Sequence, residues 1–318
     1  VLSNVISYCL LTEDIKNKAR EIGFVKSGFT HVEKLDNSFF SKWLQAGCHA
    51  GMGWMERNRH FRLDPAEYFP GAKSVLSAAV NYYYGDDSDR GERTGQISRY
   101  AVGKDYHFVV TDMLNELLDY IKVLIPGVKG KITVDTAPVF DKIWAAKAGI
   151  GWIGKHSNVI SREYGSYIFL GEIILTEELP ADEPAKDHCG TCKKCIEACP
   201  TGAIAEPYVV DSSRCISYRT IEHKGDFPEE WIGKNDDWLF GCDICQEVCP
   251  WNKFSRQTDI SEFFPGEGMR FPELDFINNL GQDEFHNMFK DSPVKRCRIS
   301  GLKRNAESAG LHLNKNVF

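Results

Sequence analysis

The chain reads Cys189-Gly190-Thr191-Cys192-Lys193-Lys194-Cys195-Ile196-Glu197-Ala198-Cys199-Pro200, then a lone Cys215, then Cys242-Asp243-Ile244-Cys245-Gln246-Glu247-Val248-Cys249-Pro250. The first run has the C-x2-C-x2-C-x3-C-P spacing of bacterial two-cluster ferredoxins, in which the fourth cysteine serves the other cluster. Short loops let three thiolates surround one cubane, and each closing Cys-Pro turns the chain toward its neighbour. The spacing therefore predicts two [4Fe-4S] clusters. One is assigned to Cys189, Cys192, Cys195 and Cys249, the other to Cys199, Cys215, Cys242 and Cys245. Zinc ribbons would account for C-x2-C pairs, but not for two C-x3-C-P endings with Cys215 standing between them.

Working outward, 318 residues suit one large or two medium domains with a substantial core. Eleven cysteines in a small secreted chain would mean disulfides, but eight of these stand in cluster spacing. Cys9, Cys48 and Cys297 are scattered and read as ordinary thiols. The start, Val1 to Ile6, lacks a basic region before an apolar stretch, and no twin-arginine occurs. Nowhere do eighteen apolar residues run together, so no membrane span is expected. Oxygen-sensitive clusters without an export signal predict a cytoplasmic protein. The net charge of -7 argues against a generic nucleic-acid binder but leaves room for a local basic patch.

Periodicity predicts a helix over Glu13 to Gly23, a strand over Val25 to Thr30 and a buried strand within Lys73 to Tyr84. His107 to Ile125 reads as a long amphipathic helix, with Val110, Met113, Leu114, Leu117, Leu118 and Ile121 on one face. Lys131 to Val134 is a short strand, and Val139 to Ala148 a helix ending at Gly149. Asn158 to Ser161 and Tyr167 to Thr176 read as strands joined by a turn at Tyr164-Gly165. The acidic, proline-bearing stretch Glu177 to Asp187 is the linker into the cysteine module. An α/β domain of about 180 residues thus precedes the clusters, and a helical tail follows them.

A ferredoxin needs little chain beyond its clusters, so the larger preceding domain is expected to hold an electron acceptor: a flavin, a nicotinamide or a corrinoid. Gly149-Ile150-Gly151-Trp152-Ile153-Gly154 formally fits G-x-G-x-x-G, but it follows a helix where a dinucleotide site requires a strand. Asp105-Tyr106-His107 begins like a D-x-H-x-x-G corrinoid motif, yet Val110 replaces the glycine. His107 is therefore a poor lower ligand for cobalt and reads as a polar helix-start residue.

Several blocks resemble one family. Ser98-Arg99-Tyr100-Ala101-Val102-Gly103-Lys104-Asp105-Tyr106-His107, Val134-Asp135-Thr136-Ala137-Pro138-Val139, Ala145 to Lys155, Glu163 to Tyr167, Arg214-Cys215-Ile216-Ser217 and the Gly241 before Cys242 look like epoxyqueuosine reductase. The resemblance spans roughly residues 10 to 310. It implies a cobalamin-dependent enzyme with two [4Fe-4S] clusters that reduces epoxyqueuosine at the tRNA wobble position to queuosine, removing the epoxide oxygen as water. The implied fold is α+β: a nitroreductase-like α/β cobalamin-binding domain (1–180), a two-cluster ferredoxin-like domain (181–256) and a helical segment (257–318) that packs back on the core and contacts tRNA. The resemblance places Asp135 as proton donor, with a raised pKa once shielded by corrin and substrate. The alternative for Asp135 is a cap on the helix starting near Pro138.

By the same resemblance Arg62, Ser98, Asp135, Val159, Leu170 and Ser217 stand at positions of the cobalamin site. Some members carry cysteine where this chain has Ser98, and many carry glutamate where it has Asp141. Lys295, Arg296, Arg298, Lys303 and Arg304 form a basic tail suited to tRNA phosphates, against the plainer reading of a solvated helix face. Trp231, Trp238 and Trp251 near the clusters read as core packing rather than base stacking. Some relatives carry a C-terminal helical-repeat extension that grips tRNA, which this sequence lacks. The expected partners are an epoxyqueuosine-bearing tRNA and an external low-potential electron donor, with a monomer as the expected state. A reductive dehalogenase would also pair cobalamin with two clusters, but usually with a longer chain and a twin-arginine signal. A non-catalytic electron carrier would need the clusters without Asp135, and a tRNA-binding module with structural clusters would need no cobalt.

Overall fold

Val75-Leu76-Ser77-Ala78-Ala79-Val80 has no polar alternation, and a strand of this kind needs protein on both faces. In the computed structural model, which describes residues 2–85 and 90–315, it forms a strand buried at every position. With Lys26–His31 as β1, Ser74–Asn81 as β2, Gly130–Thr133 as β3 and Ile168–Leu175 as β4, the sheet order is β1-β2-β4-β3. Every pairing is antiparallel. Because side chains alternate along a strand, Leu76, Ala78 and Val80 face one core with Ile15, Ala19, Leu114 and Leu117. These come from two helices, Leu2–Ile22 (α1) and Tyr106–Leu124 (α2). On the opposite face Val75 packs with Trp144, and Ala79 with Ala145 and Ala148, around the helix Asp141–Lys147 (α3).

α2 buries the predicted stripe of Val110, Leu114, Leu117, Leu118 and Ile121, with Met113 packed at its edge. The turn near Tyr164-Gly165 is present, closed by a bridge between Ser161 and Gly165. Its flanking strands do not continue as one hairpin. Val159–Ile160 pairs with Trp152–Ile153, whereas β4 joins the central sheet. The glycines of Gly149-x-Gly151-x-x-Gly154 serve this small hairpin. A Cβ on Gly151 would run into the Ile160 carbonyl, and one on Gly154 into the Ile160 side chain. The backbone here is spent on packing, with no phosphate cradle.

The cysteine region is built of short helices, Lys194–Ala198, Ile216–Ile221 and Ile244–Glu247, and a hairpin of Ile204–Glu206 with Val209–Val210. Beyond them a second core unites distant parts of the chain. Trp238–Phe240 pairs in parallel with Gln96–Ile97, and Ile97, Ala101, Leu239, Phe240, Leu274, Phe289, Leu302 and Ala306 are buried together. The helix Arg298–Lys315 thereby packs on residues from both sides of the cysteines. Mixed helix and sheet, as expected, is the architecture; among the described residues no helix is long and apolar enough to cross a membrane.

Candidate active site

The thiols fall into the two sets expected from spacing. Cys189, Cys192, Cys195 and Cys249 frame a small cavity of about 40 Å³ with Lys155, His156 and Trp251. Cys199, Cys215, Cys242 and Cys245 line a different, larger cavity of about 520 Å³. Burial raises the Cys195 thiol to about 11, and its neighbours Cys249, Cys189 and Cys192 add to the rise. Burial likewise pushes Cys215, Cys242 and Cys245 up, and for Cys245 the nearby Cys215 contributes. Thiols that resist ionisation because they are buried, and because their anions would crowd each other, are ready for a cationic centre that discharges them. Among the described residues no group of three His, Cys, Asp or Glu side chains is set to hold a single ion. All eleven cysteines are free of disulfides.

Local backbone explains how the second set reaches the large cavity. Gly241 has φ +72°, and a Cβ there would overlap Ser98. Only glycine lets the chain turn this tightly against the Ser98 loop before Cys242. Ser98 Oγ in turn donates to Asp243, which also accepts from Arg99 N at 2.8 Å. The cysteine loop and the first domain are thus locked across the cavity.

Opposite the cysteines stands Asp135, which follows β3 with φ +52°. Aspartate tolerates this left-handed conformation better than most residues, and its use at a cavity mouth marks a functional position. Its side chain is 60% exposed, so the helix-capping alternative does not describe it; α3 begins later, and no side chain caps it. Tyr106 Oη donates to Asp135 at 2.9 Å, and His107 Nε2 lies 3.3 Å away, near enough for an ion pair. Tyr106 is fixed by stacking flat on Phe169, at 4.3 Å and 6°. His107 Nδ1 contacts Asp105 at 2.7 Å, and Asp105 also pairs with Lys295 at 3.0 Å.

Desolvation by the cavity wall opposes ionisation of Asp135, but His107, Tyr106 and Lys142 outweigh it and hold the carboxyl below its ordinary value. The imidazole moves the other way: burial disfavours its charge, yet Asp105 and Asp135 raise His107 to about 9. In the open cavity near neutrality, then, the proton rests on His107 and Asp135 is an anion. Nothing in the order of residues signals this partnership, because the end of β3 and the start of α2 meet only in the folded protein.

Beneath the site lies a buried acid pair. Burial raises Asp141 to about 7, with the charge of Asp135 adding to the rise, and pushes Glu172 well above the carboxylate range. Ser77 and Thr133 hydroxyls reach Glu172 at 3.3 Å. The charge of Asp141 opposes that of Glu172, and with burial it holds Glu172 toward its protonated form. Of the positions expected at the cobalamin site, Ser98, Asp135, Val159, Leu170 and Ser217 line the large cavity. Arg62 does not. It is buried, 3.4 Å from the Val139 carbonyl and over the Phe140 ring.

Comparison with known proteins bears on this geometry. Residues 62–136 match the family described as Epoxyqueuosine reductase QueG, DUF1730, and residues 188–252 match the 4Fe-4S double cluster binding domain. An epoxyqueuosine reductase of Leadbetterella byssophila is 47% identical over 92% of this chain and 96% of its own length. One from Cellulophaga algicola is 44% identical over the same shares. This chain belongs to the epoxyqueuosine reductase family. An epoxyqueuosine reductase solved with an epoxyqueuosine-modified tRNA-Tyr stem loop superposes with TM-score 0.90 at 33% identity, covering 96% of this chain and 82% of that one. A Bacillus subtilis epoxyqueuosine reductase whose aspartate catalytic loop is swung out of the active site gives TM-score 0.88 at 31% identity, over 98% and 83%.

For an epoxyqueuosine reductase, the basic tail is more engaged than its sequence implied. Arg304 is turned inward, donating to the carbonyls of His223, Gly225 and Arg219. It is a structural arginine, a correction to its expected place among tRNA contacts. Arg296 pairs with Glu222 and lies over Trp54, and Lys295 braces Asp105 as described. Arg298 is exposed and Lys303 half-exposed. The tryptophans pack as expected: Trp238 is buried, Trp251 meets Trp152 edge-on, and Trp231 lies under Arg219.

Proposed function

We propose that this chain reduces epoxyqueuosine in the anticodon loop of a tRNA to queuosine, with cobalamin in the large cavity and a [4Fe-4S] cluster on each cysteine set. The observation that carries the proposal is Asp135 standing at the mouth of a cavity walled by the second cysteine set. The residues fit a corrin. Val159, Ile168 and Leu170 offer apolar surface, and Ser157, Ser166 and Ser217 offer polar groups around it. When bound, the corrin and clusters would supply the two electrons that an epoxide needs to become an alkene and water.

The protein's own contribution is protons and placement. Two protons must reach the epoxide oxygen, and a strained ring oxygen leaves far better once protonated. Asp135 is the donor at the substrate and His107 the store behind it. A nucleoside covering the mouth strips water from Asp135 and weakens its hold on negative charge, so the first proton passes from His107 through the carboxylate to the oxygen, and a second, drawn from solvent, follows to release it as water. Tyr106 fixes the carboxylate for this transfer, and Lys295 and Asp105 hold the imidazole in place. The unit 1–180 carries this chemistry, 181–256 the clusters, and 257–318 the tRNA-facing surface through Lys295, Arg296, Arg298 and Lys303. Within them the sheet domain is nitroreductase-like and the cysteine unit ferredoxin-like. The protein works as a cytoplasmic monomer fed by an external low-potential donor.

The test is anaerobic reconstitution with iron, sulfide and cobalamin, reduction by a chemical donor, and mass analysis of an epoxyqueuosine-bearing anticodon stem loop. Loss of one oxygen from the nucleoside is the expected result. No loss with corrin and both clusters fully loaded would overturn the proposal.

A further inference from the structure

The hairpin Trp152–Ile160 separates the two cysteine cavities and has no part in the proton chemistry. His156 lines both cavities, and Lys155 and Ile160 line the smaller one. Lys155 and Trp152 lie beside the first cysteine set, His156 stands between the two, and Ser157 and Asn158 line only the larger cavity. Lys155, 8% exposed, places its ammonium on the carbonyls of Gly190 at 2.6 Å and Cys192 at 2.9 Å. Trp152, 3% exposed, has an indole N–H with no partner in the protein, and its ring packs with Cys249 and Cys189. His156, 4% exposed, accepts from Asn158 N on Nδ1 at 3.2 Å, which leaves the proton on Nε2. Nε2 is buried and also lacks a partner.

Two buried N–H donors without acceptors are costly in a protein interior. His156 borders the cavity walled by Cys189, Cys192, Cys195 and Cys249, and Trp152 packs with Cys249 and Cys189 beside it. Sulfur atoms of a cluster are acceptors, and hydrogen bonds and positive charge toward them stabilise the cluster after it gains an electron. Asp187 accepts from Cys189 N at 2.7 Å and from the Tyr208 hydroxyl.

We infer that Trp152, Lys155 and His156 form a redox-tuning hairpin that raises the reduction potential of the cluster on Cys189, Cys192, Cys195 and Cys249 relative to the other. Added to the proposed function, on which it rests, this makes the outer cluster the one that fills first from the donor. Reduction adds one electron to the cluster and moves no atom of the hairpin; the donors stabilise the added charge. They are positioning residues and touch no substrate.

The experiment is a potentiometric titration followed by electron paramagnetic resonance, on anaerobically reconstituted holoprotein and on Trp152→Phe and His156→Phe variants. At a fixed potential the reduced-to-oxidised ratio of the outer cluster should fall roughly tenfold in each variant, a shift of about 59 mV for one electron. The cluster on Cys199, Cys215, Cys242 and Cys245 should keep its midpoint. An unmoved outer midpoint in a fully loaded variant, or an equal shift in both clusters, overturns the inference. So does loss of outer-cluster iron from both variants, which would make the hairpin a builder of the site only. Absence of any cluster signal from the unaltered protein would instead sink the proposed function itself.

Discussion

The cysteine walls and the acid mouth face each other across one cavity and solve opposite electrostatic problems. In the walls, burial and neighbouring groups hold Cys215, Cys242 and Cys245 above their ordinary pKa, so the protein alone leaves the charge unresolved for a metal centre to settle. At the mouth, Asp135 and His107 resolve their charges between themselves, one pushed down and the other up. The difference teaches that one side of the site waits for a cofactor, while the other is complete before anything binds.

The most severe way to break the contrast is Cys215→Ser. It should remove the inner cluster's iron and eliminate turnover while leaving His107 and Asp135 titrating as before, as read by iron content and by NMR of the imidazole. Next comes Asp135→Asn, expected to lower turnover roughly 10²- to 10⁴-fold with both clusters intact. Normal turnover by this variant would remove Asp135 from the chemistry.

His107→Gln sharpens the comparison through pH. His107 is raised from its ordinary 6.5 to about 9, so the stability it lends is fully present below 6.5 and is lost as pH rises through about 9. Turnover of the unaltered protein should hold to that region and then decline. The variant should lose about 10²-fold in rate, consistent with a lost proton relay, and should show neither the decline in rate nor the loss of stability over that window.

The cysteine sets were legible because their information is local: spacing within two short runs fixes which thiols meet. The strands and α2 were equally local, carried by Val75–Val80 and by the stripe from Val110 to Ile121. Asp135 was reached only through family resemblance, since nothing near it in the chain marks it as an acid donor. His107 was read as an unsuitable cobalt ligand and a plain helix-start residue. Its proton-holding partnership depends on β3 returning beside the start of α2, which spacing does not record. Trp152–Ile153 hid behind a glycine pattern whose glycines serve close strand packing.

Arg304 teaches the same lesson from the surface, where charge in the sequence was mistaken for availability. Arg304→Ala should cost roughly 1.5–3 kcal/mol of stability, measured by denaturant unfolding, because it strips charged donors from three backbone carbonyls, that of buried Arg219 among them. Its tRNA affinity at a temperature where it stays folded should be unchanged. Lys303→Ala should do the converse and least of all: stability unchanged, with the salt slope of tRNA binding shallower by about one.

The parallel pairing of Gln96–Ile97 with Trp238–Phe240 has a consequence for anyone hoping to borrow this electron-handling unit. Excising residues 188–252 would carry off all eight ligands but leave behind the hydrophobic seam that both upstream and downstream chain sew around them. The excised fragment should be unable to rebuild its inner site. In this protein the wiring and the housing were woven as one cloth.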